Sequence, residues 1–197
     1  YKIVNFGGKD SLTLKKEYAY TYDNMGLLQT KTTTGYMGKA RPDPNVIWNY
    51  YSYNTMGLLI QDSTRINADG VWSDFGLSNI DYDTSGNIII REVYRWDSTG
   101  KKSLASKTDY FYNSSGLPVL EMTYNYASTG GGYWFRKVSH AYNASGQRVA
   151  DTITSDNPVL NTGLLVYRYT SFGYYSEVES GGIDGAGNVS FSSRMIY

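Results

Sequence analysis

The sequence contains no cysteine and only one histidine, His140. The absence of cysteine excludes disulfide bonds, thiolate metal sites and thiol nucleophiles. A single histidine cannot form a two-histidine metal site, and no segment offers the complete run of oxygen ligands that calcium needs. We therefore expect no catalytic residue, no metal site and no cofactor.

Charge of one sign and long apolar runs are also missing. The 18 basic and 18 acidic residues cancel, whereas nucleic-acid binders usually carry a basic stripe. No apolar stretch approaches the length of a transmembrane helix. We therefore expect no nucleic-acid partner and no membrane-spanning segment.

No signal peptide is present, and Tyr1 is not a natural start residue. We expect that an export signal has been removed. The predicted location is extracellular, on the bacterial cell surface or in the periplasm.

Tyrosine, in contrast, is abundant, with 21 residues against six phenylalanines and four tryptophans. Five tyrosines open the same five-residue motif, Tyr-(Asp or Asn)-x-x-Gly, which we call the turn motif. Its copies occupy residues 22–26, 53–57, 82–86, 112–116 and 142–146, so that their glycines are 31, 29, 30 and 30 residues apart. A fixed period of this size indicates stacked structural repeats.

The chemistry of the turn motif predicts a β-hairpin turn. Asp or Asn accepts hydrogen bonds from the turn backbone, and Gly supplies a positive φ. This pattern suits a type I turn followed by a glycine bulge, which places Tyr22 opposite Leu28 and Tyr53 opposite Leu59. Shorter second turns are predicted at residues 67–70 and 97–100, and an altered sixth motif at residues 183–188, with Ile183 in the tyrosine position.

Each repeat of about thirty residues therefore consists of two antiparallel strands and two turns. The predicted fold is all-β: an antiparallel meander of about twelve strands in a curled or partly closed sheet. We expect one domain over residues 1–197, with clear repeats over about 18–155 and atypical ends.

The tyrosines are the candidate ligand-binding surface. Because side chains alternate along a strand, the residue two before the motif tyrosine shares its face. The candidate residues are Tyr20, Tyr22, Tyr51, Tyr53, Tyr82, Tyr110, Tyr112 and Tyr142. They, together with Trp48, Trp72, Trp96 and Trp134, could stack on a sugar or anchor a partner protein. The alternative is that they form cross-strand aromatic ladders that only stabilise the sheet.

His140 occupies the position held by Tyr20, Tyr51 and Tyr110, two residues before the motif tyrosine. We interpret it as a substitute for a repeat tyrosine rather than as a general base. The carboxylates do not form a convincing pair in the sequence, and a glycosidase needs two that flank a cleft. A carboxylate-dependent polysaccharide hydrolase is nevertheless the alternative to a non-enzyme.

The turn motif, followed by an aliphatic strand, resembles the YD repeats of RHS-like proteins and related repeats in secreted and surface proteins of Bacteroidetes. The resemblance covers roughly residues 18–155. It implies strips of β-sheet that serve as a shell or scaffold, and it supplies no catalytic residue. The arginine that usually follows the glycine is replaced by Leu27, Leu58, Asn87, Leu117 and Gln147. The expected function is a non-catalytic secreted or cell-surface module that binds a glycan or another surface protein, or acts as a structural spacer.

Overall fold

The computed structural model describes residues 2–7, 13–35, 45–68, 70–127, 133–156, 163–170, 173–184, 186 and 188–196. Within these residues the protein is all-β, with fourteen strands and no helix, and every pairing described is antiparallel. The strands follow one another in the sheet in their sequence order. The prediction of an all-β antiparallel meander is confirmed, with fourteen strands where about twelve were expected.

The strands are β1 (Lys2–Gly7), β2 (Thr13–Tyr22), β3 (Leu28–Gly35), β4 (Asn45–Tyr53), β5 (Leu59–Ala68), β6 (Val71–Tyr82), β7 (Ile88–Trp96), β8 (Lys102–Tyr112), β9 (Pro118–Tyr126), β10 (Tyr133–Tyr142), β11 (Arg148–Ser155), β12 (Gly163–Tyr169), β13 (Tyr175–Ile183) and β14 (Val189–Ile196). Since the described part of the chain contains no helix, none of it forms a helix that could cross a membrane.

All five turn motifs form the predicted hairpin turn. In the third copy, the Asp83 N–H donates to the Asn87 carbonyl at 2.9 Å, and the Gly86 N–H donates to the Asp83 carbonyl at 3.1 Å. The Asp83 carboxylate also accepts hydrogen bonds from the N–H groups of Ser85 and Asn87. The five motif glycines have φ between 75° and 85°, a region that other residues enter at a cost.

The predicted register is confirmed where the pairing is described. Tyr22 lies opposite Leu28, and Tyr53 lies opposite Leu59. In both hairpins the register shifts at the tyrosine. The bulge follows from the turn motif, because the hairpin ends in a glycine with positive φ.

One further copy of the turn was not predicted. The Gly173 N–H donates to the Thr170 carbonyl at 3.0 Å, and Gly173 has a φ of 83°. Thr170 and Gly173 thus repeat the hydrogen bond and the positive φ of the motif, with Thr170 in place of Asp or Asn. The altered sixth motif also turns as predicted, since the Asp184 N–H donates to the Asn188 carbonyl at 3.0 Å.

Contacts divide the chain into two compact units. The first unit comprises Tyr1–Asp81 and Arg91–Ala105, and the second comprises Tyr82–Ile90 and Ser106–Tyr197. Among the described side chains, the buried hydrophobic residues are Ile80 in the first unit and Val138 in the second. Most other strand residues are half-buried, so cross-strand pairs carry much of the stabilisation in each unit. The expectation of a single domain stays a prediction.

Candidate functional site

The motif tyrosines connect consecutive hairpins. The Tyr53 hydroxyl donates to the Leu28 carbonyl at 3.0 Å, and the Tyr112 hydroxyl donates to the Ile88 carbonyl at 2.8 Å. The Tyr142 hydroxyl donates to the Pro118 carbonyl at 2.7 Å in the same way. Each acceptor lies two residues after the glycine of the preceding turn motif. We call this contact the tyrosine–carbonyl bond.

The unpredicted turn at residues 169–173 shares this contact, since the Tyr169 hydroxyl donates to the Arg148 carbonyl at 2.7 Å. The tyrosine–carbonyl bond therefore recurs even where the second residue of the motif is Thr170. Its recurrence identifies the tyrosine as the part of the motif that joins one repeat to the one before it.

The structure places the eight predicted ligand-binding tyrosines in two environments. Tyr22 is 51% exposed, whereas Tyr20, Tyr51, Tyr53, Tyr82, Tyr110, Tyr112 and Tyr142 are half-buried. Burial, followed by the charge of Asp83, raises the pKa of Tyr112. Burial likewise raises the pKa of Tyr142, against a smaller opposing effect of Arg148. The hydroxyls of Tyr53, Tyr112 and Tyr142 are thus occupied within the fold. A ligand-binding role for the eight tyrosines stays a prediction.

The second unit contains a buried polar cluster around His140. The His140 side chain is 1% exposed, and its two ring nitrogens lie 2.7 Å from Asp151 Oδ1 and 3.1 Å from Glu121 Oε1. Glu121 lies on β9, His140 on β10 and Asp151 on β11. Both ring nitrogens of His140 thus face carboxylate oxygens on the neighbouring strands, and the ring itself is buried.

Asp151 is the best-connected member of this cluster. Its side chain, 2% exposed, also accepts hydrogen bonds from the Arg148 guanidinium and, at 2.6 Å, from the Tyr167 hydroxyl. Burial alone would raise the pKa of Asp151. The hydrogen bonds from Arg148, Tyr167 and His140 outweigh that effect and hold the pKa below its ordinary value, so Asp151 is a buried anion at neutral pH.

Sequence reasoning missed this cluster, although the pairing of His140 with Asp151 could have been predicted from the hairpin register. His140 pairs with Asp151 across the hairpin just as Tyr51 pairs with Asp62 and Tyr110 with Glu121. This shared register confirms that His140 occupies a repeat tyrosine position. The constant separation of eleven residues was the available signal. Glu121 and Asp151 flank one buried ring here, and the expectation that no two carboxylates flank a catalytic cleft stays a prediction.

The first unit contains a cluster of exposed aromatic side chains. Trp48 and Trp72 are 39% and 37% exposed, and their ring centroids lie 4.7 Å apart. Trp72, Phe75 and Trp96 line a concavity of about 550 Å³, which we call the aromatic groove, together with Asp74 and the turn at residues 97–100. The Trp134 side chain lies outside what the structure describes.

Comparison with known proteins gives structural neighbours only. No family model matches the chain, and no curated protein matches it. A chain of the Photorhabdus luminescens Tc holotoxin pore aligns over 100% of this chain and 12% of its own length, with 13% identity and a TM-score of 0.46. A protein of unknown function from Bacteroides fragilis aligns over 77% of this chain and 91% of its own, with 9% identity and a TM-score of 0.36. A porin-like protein from Bacteroides uniformis aligns over 91% of this chain and 88% of its own, with 12% identity and a TM-score of 0.24.

Proposed function

We propose that this chain is a non-catalytic, secreted or cell-surface β-repeat module that acts as a structural spacer. The observation that carries the proposal is the tyrosine–carbonyl bond, which joins a hairpin to the one before it at Tyr53, Tyr112, Tyr142 and Tyr169. The resemblance of the turn motif to the YD repeats of RHS-like proteins supports the same role.

The chemistry of the bond suits an array in which each repeat is attached to the one before it. Each hydroxyl adds a side-chain bond between consecutive hairpins, whose adjoining strands are also paired by ladder bonds. A hydrogen bond of this kind contributes about 0.5–1.5 kcal/mol. Because every copy reaches only the preceding repeat, the contributions add along the array, as in other repeat proteins.

The polar groups of the described residues support a non-catalytic role. Both ring nitrogens of His140 face carboxylates. In the aromatic groove, Asp74 pairs with Arg65 at 2.9 Å. Hydrogen bonds from Thr99 and the Lys101 N–H lower the pKa of Asp97, the second groove carboxylate. A glycosidase needs one carboxyl with a raised pKa as its general acid, and the lowered pKa of Asp97 does not suit that role.

The proposal is tested by pulling the protein between its two ends in an optical trap. We expect the variant with Tyr53, Tyr112, Tyr142 and Tyr169 all changed to Phe to unfold at lower force and to lose about 2–6 kcal/mol of unfolding free energy. Tyr22→Phe is the matched control, because Tyr22 is a motif tyrosine whose side chain is exposed.

Two results would overturn the proposal. One is an unchanged unfolding force in the four-site variant. The other is release of reducing ends from soluble polysaccharides by the purified wild-type protein, which would show that it is an enzyme. The location is checked separately by protease treatment of intact producing cells, which we expect to remove the protein without lysis.

A further inference from the structure

The aromatic groove lies entirely within the first unit. It runs between the first residues of β6, which include Trp72 and Phe75, and the end of β7 at Trp96 with its turn. Its volume of about 550 Å³ falls in the range of small-ligand sites, which combine aromatic walls with a few polar groups. Here the polar groups come from Asp74, Asp97 and the hydroxyl residues of the turn.

A β-bulge brings Phe75 into this groove. Gly76 lies opposite Thr64 and Asp74 lies opposite Arg65, so Phe75 is the extra residue of β6 and has no partner on β5. Bulges re-aim side chains and are enriched beside functional sites. Phe75 is 62% exposed although it is large and apolar, and Asp74 and Phe75, adjacent in sequence, both line the same concavity.

The charged groups around the groove are already compensated. Arg65 pairs with Asp74 and lies 5.9 Å from the Trp72 ring centroid. Lys102 lies 5.7 Å from the Trp96 ring centroid and 4.2 Å from that of Tyr94. Protein cations thus already approach two of the aromatic walls, which leaves less attraction for a cationic ligand. Aromatic rings beside hydroxyl and carboxylate oxygens instead suit a neutral ligand with one apolar face and many hydroxyls.

The aromatic surface continues beyond the groove. Trp72 contacts Trp48, and Trp48 lies 6.0 Å from Tyr50 between ring centroids. Trp48 and Tyr50, with Thr30 and Thr32, line a second concavity of about 290 Å³. The paired rings of Trp48 and Trp72 therefore connect two concavities, each of which offers aromatic faces and hydroxyls.

We propose that the aromatic groove, with its continuation along Trp48, binds a neutral oligosaccharide. The rings of Trp72, Phe75 and Trp96 stack on the apolar faces of sugar rings, while Asp74 and the turn at residues 97–100 accept hydrogen bonds from sugar hydroxyls. This site goes beyond the spacer role proposed above and does not depend on it, because none of its residues takes part in a tyrosine–carbonyl bond.

The probes are cellohexaose, xylohexaose and mannohexaose, titrated separately into the full chain by calorimetry with tryptophan fluorescence as a second readout. We expect saturable binding of at least one of them. Phe75→Ala and Trp72→Ala should each weaken that binding about tenfold, as expected for loss of one stacked ring. Phe111→Ala is the matched control, because Phe111 is an exposed phenylalanine, 46% accessible, on β8 outside the groove.

Urea unfolding of every variant separates lost binding from lost structure, and Phe75→Leu keeps an apolar side chain if Phe75→Ala fails to fold. Phe75→Leu should still weaken binding, since it has no aromatic face. The proposal is overturned if no hexasaccharide binds, if Phe75→Leu and Trp72→Ala bind as well as Phe111→Ala, or if choline chloride displaces the sugar at equal concentration, which would assign the groove to a cation.

Discussion

In the first unit Tyr51 on β4 pairs with Asp62 on β5, and in the second unit His140 on β10 pairs with Asp151 on β11 at the same point of the repeat. The environments differ. Tyr51 and Asp62 are half-buried, whereas His140 and Asp151 are buried and joined to Glu121. The hairpin register decides which positions face each other, and the residue types decide whether the pair stays half-buried or becomes the centre of a buried charged cluster.

The largest difference between the two units should follow from removing the charge of the acidic partner. Asp151→Asn leaves His140 and Arg148 without their shared anion, and breaking a buried ion pair from one side costs about 3–5 kcal/mol. Asp62→Asn, at the equivalent position of the first unit, should cost less than about 1 kcal/mol. Urea unfolding at neutral pH measures both values. An equal loss of unfolding free energy in the two variants would show that Asp151 does not hold the polar cluster of the second unit together.

Acid should weaken the second unit through the same carboxylate. The pKa of Asp151 is lower in the folded protein than in the unfolded chain, mainly because hydrogen bonds from Arg148, Tyr167 and His140 outweigh the effect of burial. Its stabilisation is therefore complete above the unfolded value of about 3.9 and is lost as the pH falls through the folded value.

The measurement is the unfolding free energy from pH 7 down to the acid limit. Asp151→Asn should flatten the acid side of this curve relative to the wild type. The turn residues Asp83 and Asp97 also have lowered pKa values, so some acid dependence should persist in the variant. A wild-type slope in Asp151→Asn would contradict the assignment.

Alanine substitutions at two strand glycines, one in each unit, should differ in their effect on stability by an intermediate amount. A Cβ at Gly181 in the second unit would lie 2.6 Å from the Ser190 carbonyl oxygen, whereas a Cβ at Gly76 in the first unit would meet nothing within 4 Å. Gly181→Ala should cost about 1–3 kcal/mol by forcing β13 and β14 apart, and Gly76→Ala should be neutral or slightly stabilising. Thermal unfolding of the two variants tests this, and a tolerated Gly181→Ala would mean that the backbone there shifts without loss.

The smallest effects should be the same in both units. Tyr53→Phe and Tyr142→Phe each remove one tyrosine–carbonyl bond, at 3.0 and 2.7 Å respectively. Each should lower the unfolding free energy by about 1 kcal/mol. A loss in one unit only, measured by urea unfolding, would show that the bond is not an equivalent element of the repeat.

The turns were predictable because local chemistry determines them. An Asx oxygen that accepts backbone N–H groups and a glycine with positive φ give the hairpin and its bulge without help from the rest of the chain, as at Asp83 and Gly86. The copy at residues 169–173 was missed because Thr170 replaces the Asx residue. Its tyrosine and glycine, at the usual separation, were the remaining signal.

The candidate site was less predictable because it depends on contacts between repeats. Glu121 and Asp151 meet at His140 through three adjacent strands, and sequence spacing alone does not give their burial. The bulge at Phe75 likewise has no local signal, since it appears only when Gly76 and Asp74 are paired with β5.

The range of the tyrosine–carbonyl bond has an evolutionary consequence. The acceptor of this bond is a backbone carbonyl oxygen of the preceding hairpin, which every residue type has. The bond therefore does not depend on the side chain at that position. In-frame duplication or deletion of about thirty residues would therefore regenerate a complete contact at the new junction, even where Pro118 or Arg148 supplies the acceptor. Gene recombination can thus change the number of repeats while each strand sequence diverges independently.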